Sequence, residues 1–234
     1  MRFRKAASEV LFYTLVFCIF VSATYLCSET TDVIAEMIPV ARKNTIVIDA
    51  GHGGEDGGAT SCSGKLESAY NLEIALKLND LMHLLGNDTV MVRTTDCSVY
   101  TEGDSIARKK ISDLKQRVKL VNETENAILI SIHQNTFSDS RYSGAQVFYG
   151  REETSRELAD ELQQSLVQTL NPGSSRRSKA ADGIYLMQKI NCPGVLVECG
   201  FLSNPEEEAK LRNPEYQKKL CCVIAASVGN FLDQ

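Results

Sequence analysis

The stretch Thr45-Ile46-Val47-Ile48-Asp49-Ala50-Gly51-His52-Gly53-Gly54 decides the fold. Its apolar half, Thr45–Ile48, leads into a glycine cluster that contains a histidine, a pattern typical of a buried strand followed by a tight loop. A second apolar run, Ala127–Ile132, is followed directly by His133. Because open α/β sheets form their sites at the carboxyl ends of their strands, we expect the two histidines to meet at one edge of a sheet.

Strand and helix patterns alternate from residue 44 onward. Short apolar runs predict strands over residues 45–49, 89–93, 127–132, 145–149, 183–187 and 194–198. Helical periodicity, with proline opening the last two segments, predicts helices over about 68–85, 105–125, 155–170, 205–212 and 214–232. This alternation predicts a single α/β domain with a mostly parallel, twisted sheet and helices on both faces.

The composition is that of an ordinary globular domain. The chain has 234 residues, of which 43% are hydrophobic, and a formal net charge of −5. A chain of this length can bury a full core in one domain. Acidic and basic residues are mixed along it, and no basic patch indicates nucleic acid as a partner.

The N-terminus differs from the rest of the chain. Arg2, Arg4 and Lys5 precede a mainly apolar run, Val10–Leu26, in the pattern of a signal peptide or a signal anchor. Val21-Ser22-Ala23 offers small residues for cleavage, so cleavage and N-terminal membrane association both stay open. We therefore expect an exported protein of the cell envelope. The predicted division is a leader at 1–27, a linker at 28–43 and a globular domain at 44–234.

Eight cysteines in an exported chain would usually indicate disulfides. Their spacing is irregular here, however, and no CxxC pair occurs. Cys221 and Cys222 are adjacent in a predicted helix, where the geometry is poor for a bond between them. We expect isolated, buried thiols rather than a disulfide framework.

Two imidazoles at one sheet edge predict a zinc site. A catalytic zinc usually takes three protein ligands and leaves one position for water. The third ligand should be an acid, and Glu67 fits because it lies between the glycine loop and the following helix. Three other acids compete from nearby positions: Glu55, Asp56 and Glu73. The third histidine, His83, shares a predicted helical face with polar residues, so we expect it to be exposed.

A further candidate is Glu198, which closes the apolar segment Gly194–Val197. A carboxylate in that position should be partly desolvated, which raises its pKa and favours proton transfer. The alternative is a structural ion pair with an arginine such as Arg93. We favour the catalytic interpretation because His52 and His133 end their strand segments in the same way.

Two other kinds of site fit the residues less well. The glycine loop lacks the GxxxxGK[ST] pattern, and Asp56 stands where GxGxxG needs its third glycine, so nucleotide binding is disfavoured. A cysteine hydrolase built on Cys192 or Cys199 lacks a histidine with an evident reason to act as its base. Strand alternation also points Cys199 and Glu198 to opposite faces.

These residues resemble the motifs of the zinc-dependent N-acetylmuramoyl-L-alanine amidases of the amidase_3 type. Val47–Gly54 resembles the first motif of that family, and Glu67–Leu72 the second. Ile130–Asn135 resembles the third motif, and Val195–Asn204 the last. The four motifs follow in order over residues 44–232, which makes the resemblance far more specific than one motif would.

The resemblance implies a site and a reaction. Zn²⁺ would be held by His52, Glu67 and His133, and Glu198 would be the catalytic residue that moves protons. The substrate would be peptidoglycan, cleaved at the amide between N-acetylmuramic acid and the L-alanine of the stem peptide. A non-catalytic or partner-dependent envelope binding module is the alternative, because exported amidases of this family can be controlled by a regulatory envelope partner protein.

The sequence departs from the family pattern at two places. Ser68-Ala69-Tyr70 follows Glu67 where charged residues are common, and Gln134 follows His133 where a small residue is usual. The chain also carries no appended cell-wall-binding repeats. A leader with one catalytic domain resembles the CwlD-type sporulation and germination amidases, which act on spore cortex peptidoglycan on the way to muramic-δ-lactam.

Overall fold

The computed structural model describes residues 44–233 and, in the N-terminal segment, Ser22 alone. Apart from Ser22, the predicted leader at 1–27 and linker at 28–43 lie outside the described residues and stay predictions. Residues 44–233 belong to one folded unit. Within this described part, no helix is both long enough and apolar enough to cross a bilayer.

The described residues form one sheet of six strands. The strands are β1 (Thr45–Ala50), β2 (Asp88–Met91), β3 (Ala127–Asn135), β4 (Gln146–Tyr149), β5 (Lys179–Ala180) and β6 (Gly194–Phe201). Their spatial order is β2-β1-β3-β6-β4-β5. The first four strands in this order run parallel, whereas β4 pairs antiparallel with β6 and β5 runs parallel to β4. The predicted mostly parallel sheet is confirmed.

Helices cover both faces of this sheet, as predicted. In the described part they are α1 (Glu67–Leu84), α2 (Ile106–Glu123), α3 (Glu153–Thr169), α4 (Tyr185–Lys189), α5 (Pro205–Arg212) and α6 (Pro214–Leu232). One face packs against α1, α3 and α6 through buried side chains such as Ile74, Leu162 and Ile224. The other face packs against α2 and α4 through Val121 and Met187.

The core therefore has one layer on each face of the sheet. Ile46 and Ile48 of β1 belong to the layer under α1, α3 and α6, whereas Val47 belongs to the layer under α2 and α4. This alternation follows from the two-residue period of a strand. Parallel strands buried on both faces are nearly continuous apolar runs, which is why the sequence predicts β1 and β3 correctly.

The parallel strands β1, β3 and β6 end at the same edge of the sheet. Ala50 pairs with Ile132, and His133 pairs with Glu198. β3 continues three residues beyond its predicted end, so His133 lies within the strand and not after it. This edge brings together the side chains that the sequence analysis selected.

The predicted strand over residues 183–187 is wrong. Gly183 has a φ of +84°, and Tyr185–Lys189 form the short helix α4. Leu186 and Met187 are both buried, and both belong to the same core layer. Neighbouring residues of a helix can pack on one side, whereas neighbouring residues of a strand point to opposite faces. A five-residue apolar run fits a helical turn as well as a strand, so periodicity alone does not separate them.

Candidate metal centre

His52 lies in the glycine loop after β1, with a left-handed φ of +59°. This conformation is unfavourable for a residue with a Cβ atom. The imidazole Nε2 lies 3.3 Å from Oε1 of Glu67, and Nδ1 lies 2.9 Å from Oδ2 of Asp56. A carboxylate behind one ring nitrogen directs the other toward a ligand position, as in many metal sites.

His133 lies at the carboxyl end of β3, with Nδ1 3.0 Å from Oε1 of Glu67. The ring centroids of His133 and His52 are 5.0 Å apart, with an interplanar angle of 72°. Gly51 leaves the space for this ring, because a Cβ atom at position 51 would lie 2.1 Å from Nε2 of His133. The glycine cluster therefore has a steric role in the site.

Glu67 is the first residue of α1, where the helix dipole favours a negative charge. Its Oε2 oxygen accepts a hydrogen bond of 2.9 Å from the backbone N–H of Ala59. Its Oε1 oxygen accepts from the backbone N–H of Gln134 at 3.2 Å and from Nδ2 of Asn71 at 3.3 Å. The carboxylate is thus held from the loop, the helix and β3 together.

The three side chains converge on one point. One possible ligand atom from each of His52, Glu67 and His133 lies within 4.8 Å of the other two. Burial would raise the pKa of Glu67, but its hydrogen bonds with the two histidines outweigh burial and hold the pKa well below its ordinary range. Two imidazole nitrogens and a charged carboxylate are the donor set of a catalytic zinc, so the residues present fit Zn²⁺.

Glu198 lies on β6, directly beside His133 in the parallel register. Its side chain is partly exposed, yet its Oε2 oxygen is buried and has no hydrogen-bond partner among the described residues. Burial raises the pKa of Glu198 to about 7; His133 opposes this rise and the carboxylate of Glu67 adds to it. A carboxylate with a pKa near neutrality can accept and return protons.

The competing acids have other partners. Glu55 forms an ion pair of 2.8 Å with a lysine at the surface, and Glu73 forms one of 2.6 Å with another lysine. Asp56 contacts His52 from behind the ring and is not a member of the convergent group. His83 is exposed, as predicted.

Two buried arginines hold the backbone around the cluster. Arg93 donates hydrogen bonds of 2.8–3.0 Å to four carbonyl groups: those of Ala50, Gly51, Ser68 and Thr95. Arg93 is therefore occupied elsewhere, and no ion pair with Glu198 is formed. Arg117 forms a buried ion pair with Asp49 and also donates to the carbonyls of Ala50 and His52.

The thiols do not favour a cysteine hydrolase. Cys199 is fully buried in the core layer under α1, α3 and α6, and burial raises its pKa well above the ordinary value. Burial also raises the pKa of Cys192 to about 11, so neither residue supplies much thiolate at neutral pH. The six cysteines of the described part are all free thiols, as expected, whereas Cys18 and Cys27 lie outside it. The expected burial is wrong for Cys62, Cys97 and Cys222, which are exposed.

Three further side chains, which sequence patterns did not assign to the site, hold the candidate ligands from behind: Asp56, Asn71 and Gln134. Asp56 was expected only as a competing ligand, yet it contacts the ring of His52. Asn71 lies one helical turn after Glu67, and this i,i+4 spacing was an available signal for a contact between them. No local pattern predicts the contact of Gln134 with Asn71, because it joins β3 to α1.

Fold and cluster together define the class of protein: a single α/β domain with a candidate metal centre at the carboxyl edge of its parallel strands. The chain belongs to the Amidase_3 family of N-acetylmuramoyl-L-alanine amidases, since the family model matches residues 46–230.

Relatives and solved structures agree with this assignment. The chain is 41% identical over 204 residues to the germination-specific N-acetylmuramoyl-L-alanine amidase of Bacillus subtilis, covering 84% of this chain and 83% of the relative. It also matches the structure of the CwlD amidase from Clostridioides difficile in complex with the GerS lipoprotein, with a TM-score of 0.78, 36% identity and coverage of 82% and 99%. A second amidase structure, from Clostridium difficile 630, gives a TM-score of 0.71, 32% identity and coverage of 83% and 99%.

Proposed function

We propose that the chain hydrolyses the amide between N-acetylmuramic acid and L-alanine of peptidoglycan, using Zn²⁺ held by His52, Glu67 and His133. The observation that carries this proposal is the convergence of the three side chains within 4.8 Å, beside the buried, unpaired oxygen of Glu198. Membership of the amidase family gives the class of bond.

The metal and the side chains around it would have separate roles in this reaction. Bound Zn²⁺ would polarise the scissile carbonyl and lower the pKa of water. Glu198 accepts the proton of the attacking water and then donates a proton to the departing amine of L-alanine. Asp56 orients His52, and the carbonyl contacts of Arg93 fix the loop that carries it.

We also propose a setting for this activity. The chain is exported to the cell envelope by residues 1–27, and it acts on spore cortex peptidoglycan on the way to muramic-δ-lactam. The support is its likeness to a germination-specific amidase and to the CwlD amidase. The linker at 28–43 would place the catalytic domain, 44–234, outside the membrane.

Mass spectrometry of peptidoglycan fragments tests the reaction. The purified chain is incubated with fragments in zinc or in a chelator, and the products are identified by mass. We expect zinc-dependent release of stem peptides that begin with L-alanine, next to intact glycan. Cleavage within the stem peptide would indicate a different zinc peptidase instead.

One observation favours a second candidate function. The CwlD amidase was solved in complex with the GerS lipoprotein. The second candidate is therefore a chain that requires an envelope partner for activity, or that is a binding module without activity. No release by the isolated chain in zinc or in chelator, followed by release once envelope proteins are added, would support partner dependence. Release of stem peptides by the chain alone would exclude both partner dependence and a purely binding role.

A further inference from the structure

Gln134 is a buried glutamine directly after His133, at a position where a small residue is usual in the family that the sequence resembles. We propose that Gln134 is a positioning residue that strengthens metal binding by holding the carboxylate of Glu67 through Asn71. This inference rests on the proposed function, because it assumes that Glu67 is a metal ligand.

A chain of hydrogen bonds connects Gln134 to Glu67. Nε2 of Gln134 donates to Oδ1 of Asn71 at 3.2 Å. Nδ2 of Asn71 in turn donates to Oε1 of Glu67 at 3.3 Å and to the carbonyl of Gly51 at 3.1 Å. Because Oδ1 of Asn71 is occupied by a donor, its amide nitrogen is the end that faces the carboxylate.

Gln134 also contacts Glu67 without an intermediary. Its backbone N–H donates to the same Oε1 oxygen at 3.2 Å. The backbone N–H of Gln134 fixes the position of the Glu67 oxygen, and the side chain of Gln134 fixes the Asn71 amide beside that oxygen. Both contacts come from β3, the strand that also carries His133, so two of the proposed ligands share one rigid support.

The other end of the Gln134 side chain is an unpaired acceptor, which has a free-energy cost. Its Oε1 oxygen is buried and has no hydrogen-bond partner among the described residues. Leaving a buried acceptor unpaired is unfavourable, and an apolar side chain of the same shape would avoid it. The donor end is therefore the part of the amide that the structure uses.

Gln163 provides a matched comparison within the same domain. It is equally buried, but its Oε1 accepts from the backbone N–H of Val147 at 2.8 Å and its Nε2 donates to the carbonyl of Ala145 at 3.3 Å. Both ends of this amide bind the backbone of the β4 region, and none of its contacts reaches a proposed ligand. Replacing Gln163 should disturb the fold without disturbing the metal.

The test measures zinc affinity of the 234-residue chain by competition with a chromophoric chelator. Gln134→Met keeps the length and removes the amide, and we expect zinc to bind about tenfold more weakly, as is usual when a group behind a ligand is lost. The absorption bands of the Co²⁺-loaded protein should also shift, because the Glu67 carboxylate is no longer fixed. Gln134→Ala replaces the methionine variant if the latter does not fold.

Gln163→Met is the control, and unfolding of each metal-free variant is measured beside it. We expect Gln163→Met to lower stability while its zinc affinity stays within about twofold of the parent, since it lies outside the ligand support. Equal losses of zinc affinity in the two variants, or unchanged affinity in Gln134→Met, would overturn the proposal. If the parent chain binds no zinc, the proposed function itself fails. If the parent binds zinc and Gln134→Met binds it equally well, only the role of Gln134 fails.

A double-mutant cycle tests whether the effect passes through Asn71. In an Asn71→Leu background, Gln134→Met should cause no further loss of zinc affinity, because the link it completes is already broken. Losses that simply add would show that the two residues act independently, which contradicts the proposed chain of contacts.

Discussion

Asp56 determines which nitrogen of His52 faces the cluster. Its Oδ2 oxygen lies 2.9 Å from Nδ1 of the imidazole and 3.2 Å from the ammonium group of Lys110. Burial would raise the pKa of Asp56, but its contacts with His52 and Lys110 hold the pKa below the ordinary value. Asp56 is therefore charged at neutral pH, so Nδ1 keeps its proton and Nε2 presents its lone pair to a metal.

Asp56→Ala removes this orientation, and we predict that zinc binds about 10–100-fold more weakly. Competition with a chelator measures the change. Glu55→Ala is the matched control, because Glu55 is the neighbouring acid and pairs with Lys109 away from the imidazole. A similar loss in both variants would mean that local negative charge matters and the contact with His52 does not.

The raised pKa of Glu198 makes the free energy of unfolding of the metal-free chain depend on pH. Its folded pKa of about 7 lies above that of an unfolded glutamate, so stability is lost as the pH rises through 7. We predict that Glu198→Gln raises the free energy of unfolding of the metal-free chain by about 1–2 kcal/mol at pH 8, after allowing for partial exposure, and by much less at pH 5. Urea titrations in chelator at both pH values measure this difference. An equal effect at the two pH values would show that burial of the charge is not the cause.

At the scale of elements, β1, the glycine loop and α1 form one unit that carries two of the proposed ligands. Arg93 joins the parts of this unit, since it donates to carbonyls of β1, of the loop and of the first turn of α1. β3 supplies the third ligand and passes so close to the loop that position 51 has no room for a Cβ atom. Close packing of the loop and strand thus sets the distance between the histidines.

Gly51→Ala tests this close approach. The new methyl group would lie 2.1 Å from Nε2 and 2.2 Å from Cε1 of His133, so the ring must move. We predict that zinc affinity falls by about 100-fold, the upper range for disturbing the support of a ligand. Gly229→Ala in α6 is the control, because a Cβ atom there meets nothing within 4 Å and a helical alanine is favourable. Normal zinc affinity in Gly51→Ala would show that His133 is not held where the structure has it.

The elements that the sequence predicts well are those with a strong apolar pattern. β1, β3 and β6 are buried on both faces, and α5 and α6 begin at their prolines as expected. The sequence does not predict β5, which has only two exposed residues, or α4, whose apolar run is too short to show a period. The contact of Gln134 with Asn71 is also not predicted, because the two residues are 63 positions apart in the chain.

At the scale of the whole molecule, strand order assembles the candidate site. His52, His133 and Glu198 come from three segments that are each separated by more than 60 residues. The sequence places each of them near a strand end, but only the order β1-β3-β6 makes those ends neighbours. Glu67 reaches the same place from the start of α1. Local patterns select these four residues among competing acids, and the family resemblance assigns a role to each of them.

In the proposed mechanism, His52, Glu67 and His133 hold the metal while Glu198 moves the proton. Zinc content and release of stem peptides that begin with L-alanine, measured together for the parent chain, Glu198→Gln and His133→Ala, test it most directly. We predict that Glu198→Gln keeps its zinc and releases no peptide, whereas His133→Ala loses both. Peptide release by Glu198→Gln at the parent rate would remove Glu198 from the proton transfer, and a full zinc content in His133→Ala would remove His133 from the metal centre.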